Sequence, residues 1–283
     1  MNESVPDSVP DADEREKVEI ELLLEALFRI YGYDFRNYAF ASVRRRIWHR
    51  VHSERLQTVS GLTERVIHDR SCMERLLSDM TIHVTEMFRD PQAFYAFRRL
   101  VVPMLRTYPF IRIWHAGCST GEEAYSMAIL LHEEGLYDKS RIYATDANGD
   151  VLAAAKEGVF PMERMKLYTR NYMEAGGRES FSHYYTAKYD SVIFHSYLKK
   201  NIVFGQHNLV TDGSFNEFNV IFCRNVMIYF NKTLQDHVHG LLYDSLSTFG
   251  ILALGTKESI TFTKHADKFE ELDSVNRLYR KIR

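Results

Sequence analysis

The sequence predicts a doubly wound α/β domain preceded by an all-α domain, and three observations predict it. Residues 17–85 carry apolar side chains at helical spacing and no strand-like run. From residue 110, short strand-like runs alternate with helix-period segments, the pattern of a parallel sheet covered by helices on both faces. A glycine-flanked turn, His115-Ala-Gly-Cys-Ser-Thr-Gly-Glu-Glu123, joins the first such strand to the first such helix.

Residues 1–16 are acidic, contain Pro6 and Pro10, and show no apolar period, which is the composition of a disordered tail. Ile20, Leu23, Leu24, Leu27, Phe28 and Tyr31 form the stripe of a first helix that Gly32 stops. Phe40, Val43, Ile47 and Val51 mark a second helix, and Ser60–Arg70 and Met73–Met80 two more. Phe88–Leu105 reads as another, with Asp90 and Pro91 in its first turn. Strands follow at Phe110–Ala116, Arg141–Thr145, Asn201–Gln206, Asn219–Cys223, Ile251–Gly255 and Arg277–Ile282. Helices lie at Gly121–Glu134, Asp150–Glu157 and Leu234–Leu246. The runs Tyr184–Tyr189, Ser191–Leu198 and Asn201–Phe204 leave no room for crossover helices, so residues 184–204 are expected to hold a small antiparallel insertion.

Composition bounds the function. The 283 residues, 45% hydrophobic and 26% charged, suit one large or two smaller globular domains. A net charge of −2 argues against a dedicated duplex nucleic-acid binder. Cys72, Cys118 and Cys223 are an odd, scattered set with no CxxC, which fits a reducing compartment and neither a disulfide framework nor a zinc site. The amino terminus lacks the basic and apolar regions of a signal peptide, and no apolar run approaches the roughly 18–20 residues of a membrane span. A cytoplasmic protein is expected. The near-neutral total hides a segregation. Residues 1–20 hold seven acids and two bases, net −5, whereas residues 36–55 hold six arginines and one acid, net +5.

In doubly wound sheets ligands bind beyond the carboxyl ends of the strands. The turn after the first strand is neither the GxGxxG fingerprint nor a P-loop, and Glu122 and Glu123 would repel phosphate, so they suit a cationic ligand or simply the helix dipole. Asp146 ends the second strand, where an acid pairs with ribose hydroxyls, or where Asp146 or Asn148 caps a helix. Gln206-His-Asn208-Leu209 follows the third strand and Cys223-Arg224-Asn225 the fourth. The simplest common ligand is a ribonucleoside without phosphates, and S-adenosylmethionine, with its sulfonium and amino groups, is one.

IWHAGCSTGEEAYSMA (113–128), ATDAN (144–148), FCRNVMIYF (222–230) and Thr85-Glu-Met-Phe-Arg89 resemble the motifs of the CheR family of chemotaxis receptor methyltransferases, in the family's order. The resemblance covers roughly residues 17–283. It implies a Rossmann-like S-adenosylmethionine methyltransferase domain over 86–283, with its β-subdomain at about 184–204, behind a helical receptor-docking domain over 17–85. It implies a protein-glutamate O-methyltransferase with S-adenosylhomocysteine as product and no metal. Thr85 and Arg89 would contact the methionine end of the cofactor, Glu123 its amino group and Asp146 its ribose. Asn208 with Leu209, and Cys223 with Arg224, would complete the adenosine and substrate side. Arg89 and Tyr229 would lie beside the transferring methyl. Where the family has Asn two residues before the motif threonine, this chain has His83, and Met87 stands for the motif's first Phe.

A carboxylate nucleophile is ionised at neutral pH, with a reference pKa near 4.3, so no general base is expected. Arg89 or Arg224 would hold the incoming carboxylate and Tyr229 would orient it. Arg46 and Arg50, four apart on the second helix, would dock an acidic helix of the chemoreceptor cytoplasmic bundle. No glycine lies between Tyr184 and Phe204, unlike members that grip a receptor tether through a glycine-rich loop. A DNA amino-methyltransferase is disfavoured, because the fourth strand ends in Cys-Arg-Asn-Val without the Pro-Pro motif. Neither nucleic acid nor direct membrane insertion is expected, and intact site residues speak against a non-catalytic adaptor.

Overall fold

The structure, a computed structural model, describes residues 11–80 and 85–283. The reading of His83 therefore lies outside the described residues. The chain divides into two compact units: Met1–Ile82 with Tyr229–Leu234, and His83–Ile228 with Gln235–Arg283.

The first unit is helical. Helix α1 (Ala12–Tyr31) begins inside the stretch expected to be disordered. The carboxylate of Asp11 accepts the Glu14 N–H at 2.8 Å, a side-chain cap that sets the start, and Gly32, at φ 80°, ends the helix. Helices α2 (Phe40–Ser53), α3 (Val59–His68) and α4 (Arg70–Met80) follow. Their core joins Ile20, Leu23, Leu24 and Leu27 to Val43, Ile47, Val51, Leu62, Val66 and Leu76. The segment Tyr229–Leu234 is built into the same unit: Ala39 N–H donates to the Tyr229 carbonyl at 2.8 Å and Tyr38 bridges Phe230.

The arginine face differs from expectation. Phe40, expected in the buried stripe, is 43% exposed at the helix start, and Arg46 is buried instead. The Arg46 guanidinium donates to the Met80 carbonyl of α4. The same guanidinium lies over the Tyr229 ring, 5.1 Å from its centroid. Arg50 is held by Asp79 at 2.7 Å and Glu54 at 3.2 Å, with its side chain 12% exposed. Arg46 and Arg50 therefore do not form an open docking face. The exposed arginines of α2 are Arg44, which pairs with Glu16 of α1 at 2.6 Å, and Arg45.

The second unit carries the sheet. Helix α5 (Pro91–Ala96) runs through a π-helical turn, Phe97–Val101, into α6 (Val102–Leu105), where one continuous helix was expected. Then come β1 (Ile111–Ala116), α7 (Glu122–Glu133), β2 (Ser140–Asp146), α8 (Gly149–Glu157), β3 (Val159–Pro161) and α9 (Met165–Glu174). They are followed by β4 (Tyr185–Lys188), β5 (Ser191–Phe194), α10 (Ser196–Lys199), β6 (Ile202–Gln206) and β7 (Phe218–Cys223). Helix α11 (Lys232–Ser245) and strands β8 (Leu246–Leu254), β9 (Phe269–Asp273) and β10 (Leu278–Lys281) complete the chain.

The large sheet has the order β6-β2-β1-β7-β8-β10-β9. Strands β6, β2, β1, β7 and β8 are parallel, and β10 runs antiparallel to both its neighbours. A doubly wound sheet is thus confirmed. The small antiparallel sheet, β3-β5-β4, spans 159–194 rather than 184–204. Strand β6, inside the predicted insertion, pairs with β2 from Ile142↔Ile202 to Asp146↔Gln206 and belongs to the large sheet. Strand β3 escapes sequence analysis because its three residues end in Pro161.

Glu54 is the ionic hub of the helical unit, pairing with Arg50, Arg65 and Arg75 while only 8% of its side chain is exposed. The hydrogen bond from Arg75 is the main cause that holds its carboxyl below the ordinary 4.5. A depressed carboxylate binds fewer protons folded than unfolded, so it stabilises above its ordinary value and that contribution is lost as pH falls through the folded one. Glu54→Gln should therefore flatten the acid-induced loss of stability below about pH 4.5, as thermal unfolding across that range will show.

Candidate cofactor and active site

The site forms at the carboxyl ends of β1, β2, β6 and β7 in the second unit. The turn after β1 is fastened from below: the N–H groups of Gly117 and Cys118 both donate to the Thr145 carbonyl at 2.8 Å. Gly117, Ser119 and Gly121 have φ of 77°, 50° and 93°. A Cβ on Gly117 would lie 2.6 Å from Val226, and one on Gly121 3.0 Å from Ala155. The glycines thus serve backbone conformation and the packing of protein neighbours.

Asp146 closes the turn. Its Oδ2 accepts the Ser119 N–H at 2.9 Å and its Oδ1 the Asn148 N–H at 3.0 Å. Asn148, not Asp146, caps α8, accepting the Asp150 N–H at 2.8 Å. The carboxylate of Asp146 remains half-buried at the strand end.

The two glutamates that open α7 diverge. Glu122 is buried beneath the Thr120 and Tyr168 hydroxyls, and burial pushes its carboxyl up. Glu123 accepts from His115 Nδ1 at 2.9 Å and faces Arg224 Nη1 at 3.4 Å. Burial pushes Glu123 up, but the His115 hydrogen bond and the neighbouring Arg224 guanidinium outweigh it and hold the carboxyl below its ordinary value. Arg224 also donates to the Arg89 carbonyl at 3.0 Å and to Asp90 Oδ2 at 2.9 Å. Its side chain is 1% exposed, so it is committed to internal acceptors and does not present a cation to an incoming carboxylate as expected.

Thr85 and Arg89 sit half-buried in a strained segment. Phe88 and Asp90, which flank Arg89, have φ of 51° and 52°, unusual for residues with a Cβ. The segment is held there: the Phe88 N–H donates to Ser126 Oγ at 2.8 Å, its ring packs on Phe94 and Tyr172, and Asn171 donates to the Met87 carbonyl at 3.1 Å. Beyond β6, the side-chain oxygen of Asn208 accepts its own loop's Val210 N–H at 3.0 Å, and Leu209 is buried. Cys223 is buried, which drives its thiol well above the ordinary value. Arg46, Arg50 and Tyr229 belong to the helical unit.

His115, Asp90 and Ser126 carry the geometry of this site without having been singled out in the sequence. His115 sits inside a quoted motif, but only the fold shows that strand β1 aims it at the first turn of α7. It is fully buried and stacks on Phe222, with ring centroids 5.0 Å apart.

A glycine turn after β1, a carboxylate in the first turn of α7 and another at the end of β2 make the kind of site that suits a nucleoside ligand in an α/β enzyme. Comparison with family models is more particular. Residues 18–81 match the CheR methyltransferase all-alpha domain and residues 83–277 the CheR methyltransferase SAM binding domain. The chain belongs to the CheR methyltransferase family, and it is a methyltransferase that uses S-adenosylmethionine. A Pseudomonas putida protein provisionally named methyltransferase Cher3 is 52% identical over 264 residues, 93% of this chain and 97% of that one. Chemotaxis protein methyltransferase 2 of Pseudomonas aeruginosa is 29% identical, covering 85% of this chain and 86% of its own. The chemotaxis protein methyltransferase of Listeria innocua is 29% identical, covering 82% and 86%.

The residues present fit that cofactor. Glu123 and Asp146 are acceptors of the kind an ammonium group and vicinal ribose hydroxyls require, and Ser119 Oγ is buried beside them with no protein partner. Among the described residues no group of three or more His, Cys, Asp and Glu is placed to hold a metal ion. No helix among them is long and apolar enough to cross a membrane. His115→Phe keeps the ring stack on Phe222 while removing the hydrogen bond to Glu123. It should weaken S-adenosylhomocysteine binding about tenfold in calorimetry. Unchanged affinity would show that Glu123 holds its place without the imidazole.

Proposed function

We propose that this protein transfers a methyl group from S-adenosylmethionine to glutamate side-chain carboxylates of chemoreceptor cytoplasmic helices, giving glutamate methyl esters and S-adenosylhomocysteine. The observation that carries this reading is the correspondence with proteins named chemotaxis protein methyltransferase over 82–85% of this chain, across both the helical and the sheet-bearing parts.

The chemistry at the site supports it. When bound, the cofactor supplies an electrophilic methyl on a sulfonium. Glu123 would receive its amino group and Asp146 its ribose hydroxyls, with Thr85 and Arg89 at the methionine end. A glutamate nucleophile arrives ionised and asks for no base, and His115 is committed to Glu123. The work left to the protein is alignment and partial desolvation of two opposite charges. Arg89 is the arginine proposed to hold the incoming carboxylate. On the helical unit, Arg44 and Arg45 replace Arg46 and Arg50 as the proposed contacts for an acidic receptor helix, since they are exposed on α2. Such a substrate places the reaction in the cytoplasm.

Incubation with tritiated S-adenosylmethionine and receptor bundles should give a base-labile label, the signature of a carboxyl ester. Absence of label, or a base-stable one, overturns the reading. Arg44→Glu with Arg45→Glu should lower receptor methylation severalfold at low salt while sparing S-adenosylhomocysteine binding. Unaltered methylation removes α2 from the docking surface.

A further inference from the structure

We propose that Glu258 is a positioning residue for this site: it holds the turn after β7 in the one shape that delivers Arg224 to Glu123. The proposal rests on the reading of Glu123 as the carboxylate that receives the cofactor's amino group. Strand β8 lies beside β7 in the sheet, and beyond it the chain turns through Gly255-Thr-Lys-Glu258. Glu258 is 5% exposed, yet both its oxygens are fully used. Oε1 accepts the N–H groups of Val226 at 2.9 Å and Met227 at 2.8 Å. Oε2 accepts those of Asn225 at 2.8 Å and Gly255 at 2.7 Å.

Three of these four donors are consecutive, and they follow Arg224 directly. Asn225 has a φ of 61°, a left-handed conformation that a residue with a Cβ takes only when its surroundings impose it. One carboxylate collects the N–H groups that this bend leaves without a ladder partner. Arg224, just before the bend, is thereby aimed at Asp90 and Glu123. Gly255 makes the approach possible, since a Cβ there would lie 2.7 Å from Glu258 Oε2 and 2.8 Å from the Asn225 nitrogen. Burial pushes the Glu258 carboxyl up against the pull of the four donors.

A carboxylate is the group this geometry demands. An amide has one acceptor oxygen, and its NH₂ would face two backbone N–H groups. The same turn bounded by glutamine must therefore shift, and Arg224 with it.

The test is a double-mutant cycle on the full chain. S-adenosylhomocysteine affinity is measured by calorimetry for the wild type, Glu258→Gln, Arg224→Met and the double variant, at a temperature where circular dichroism shows all four folded. Glu258→Gln should weaken binding about tenfold or more. The double variant should bind no more weakly than Arg224→Met alone, because both substitutions remove the same interaction. A purely structural role would not produce that non-additivity. Wild-type affinity in Glu258→Gln, or losses that multiply in the double variant, overturns the proposal. Wild-type affinity in Arg224→Met overturns the reading of the Arg224–Glu123 pair beneath it, which separates the two failures. Should Glu258→Gln not fold, Gly255→Ala crowds the same carboxylate with every charge retained and is subject to the same cycle and the same outcomes.

Discussion

The burial of one guanidinium organises the catalytic unit. Arg224 directly follows strand β7 with its side chain 1% exposed, and a cation removed from water must find acceptors or unfold the region around it. It finds three: Asp90, the Arg89 carbonyl and Glu123. They come from the approach to α5 and from the first turn of α7, so one side chain ties two segments, each more than a hundred residues away in sequence, to the end of β7. The left-handed residues Phe88 and Asp90 flank Arg89, whose carbonyl accepts from that guanidinium together with the Asp90 carboxylate. Glu123 faces the same guanidinium, with His115 holding its other oxygen.

Charge elsewhere obeys the same rule of internal settlement. Arg98 is buried against Glu133 and Glu134, and Arg106 and Arg178 complete that cluster at 2.8 and 2.7 Å from Glu134. Within the helical unit, Glu16 of α1 takes up Arg44 and the indole N–H of Trp48, while Glu54 gathers three arginines. The opposed charges of residues 1–20 and 36–55 are therefore partly neutralised inside one unit. A run of arginines in a sequence signals a partner only after the acids of its own fold have been counted.

Most of the secondary structure was legible because it rests on local rules. Gly32 does stop α1, the apolar periods do mark α2 to α4, and the strands β1, β2, β6 and β7 lie where short apolar runs alternate with helical ones. The failures have physical causes too. Asp11 draws the start of α1 back into an acidic stretch through a single cap, which composition does not reveal. The run from residue 201 read both as part of an antiparallel insertion and as the third strand of the large sheet, and only its pairing with β2 decides for the sheet, since a strand's partner is a tertiary fact. At the site, the positions of Glu123, Asp146 and Arg224 were readable from their motifs. What each does there was not: Arg46, Arg50 and Arg224 all proved to be internal struts.

The sequence by itself determined which residue types stand at the strand ends, because glycines, acids and arginines in that spacing follow from the alternation of strand and helix alone. Tertiary structure decided their employment. Whether an arginine meets a substrate or a neighbour depends on which carbonyls and carboxylates the fold leaves within about 3 Å of it. That depends in turn on contacts between segments more than a hundred residues apart, such as Arg224 with Asp90, which no local pattern encodes.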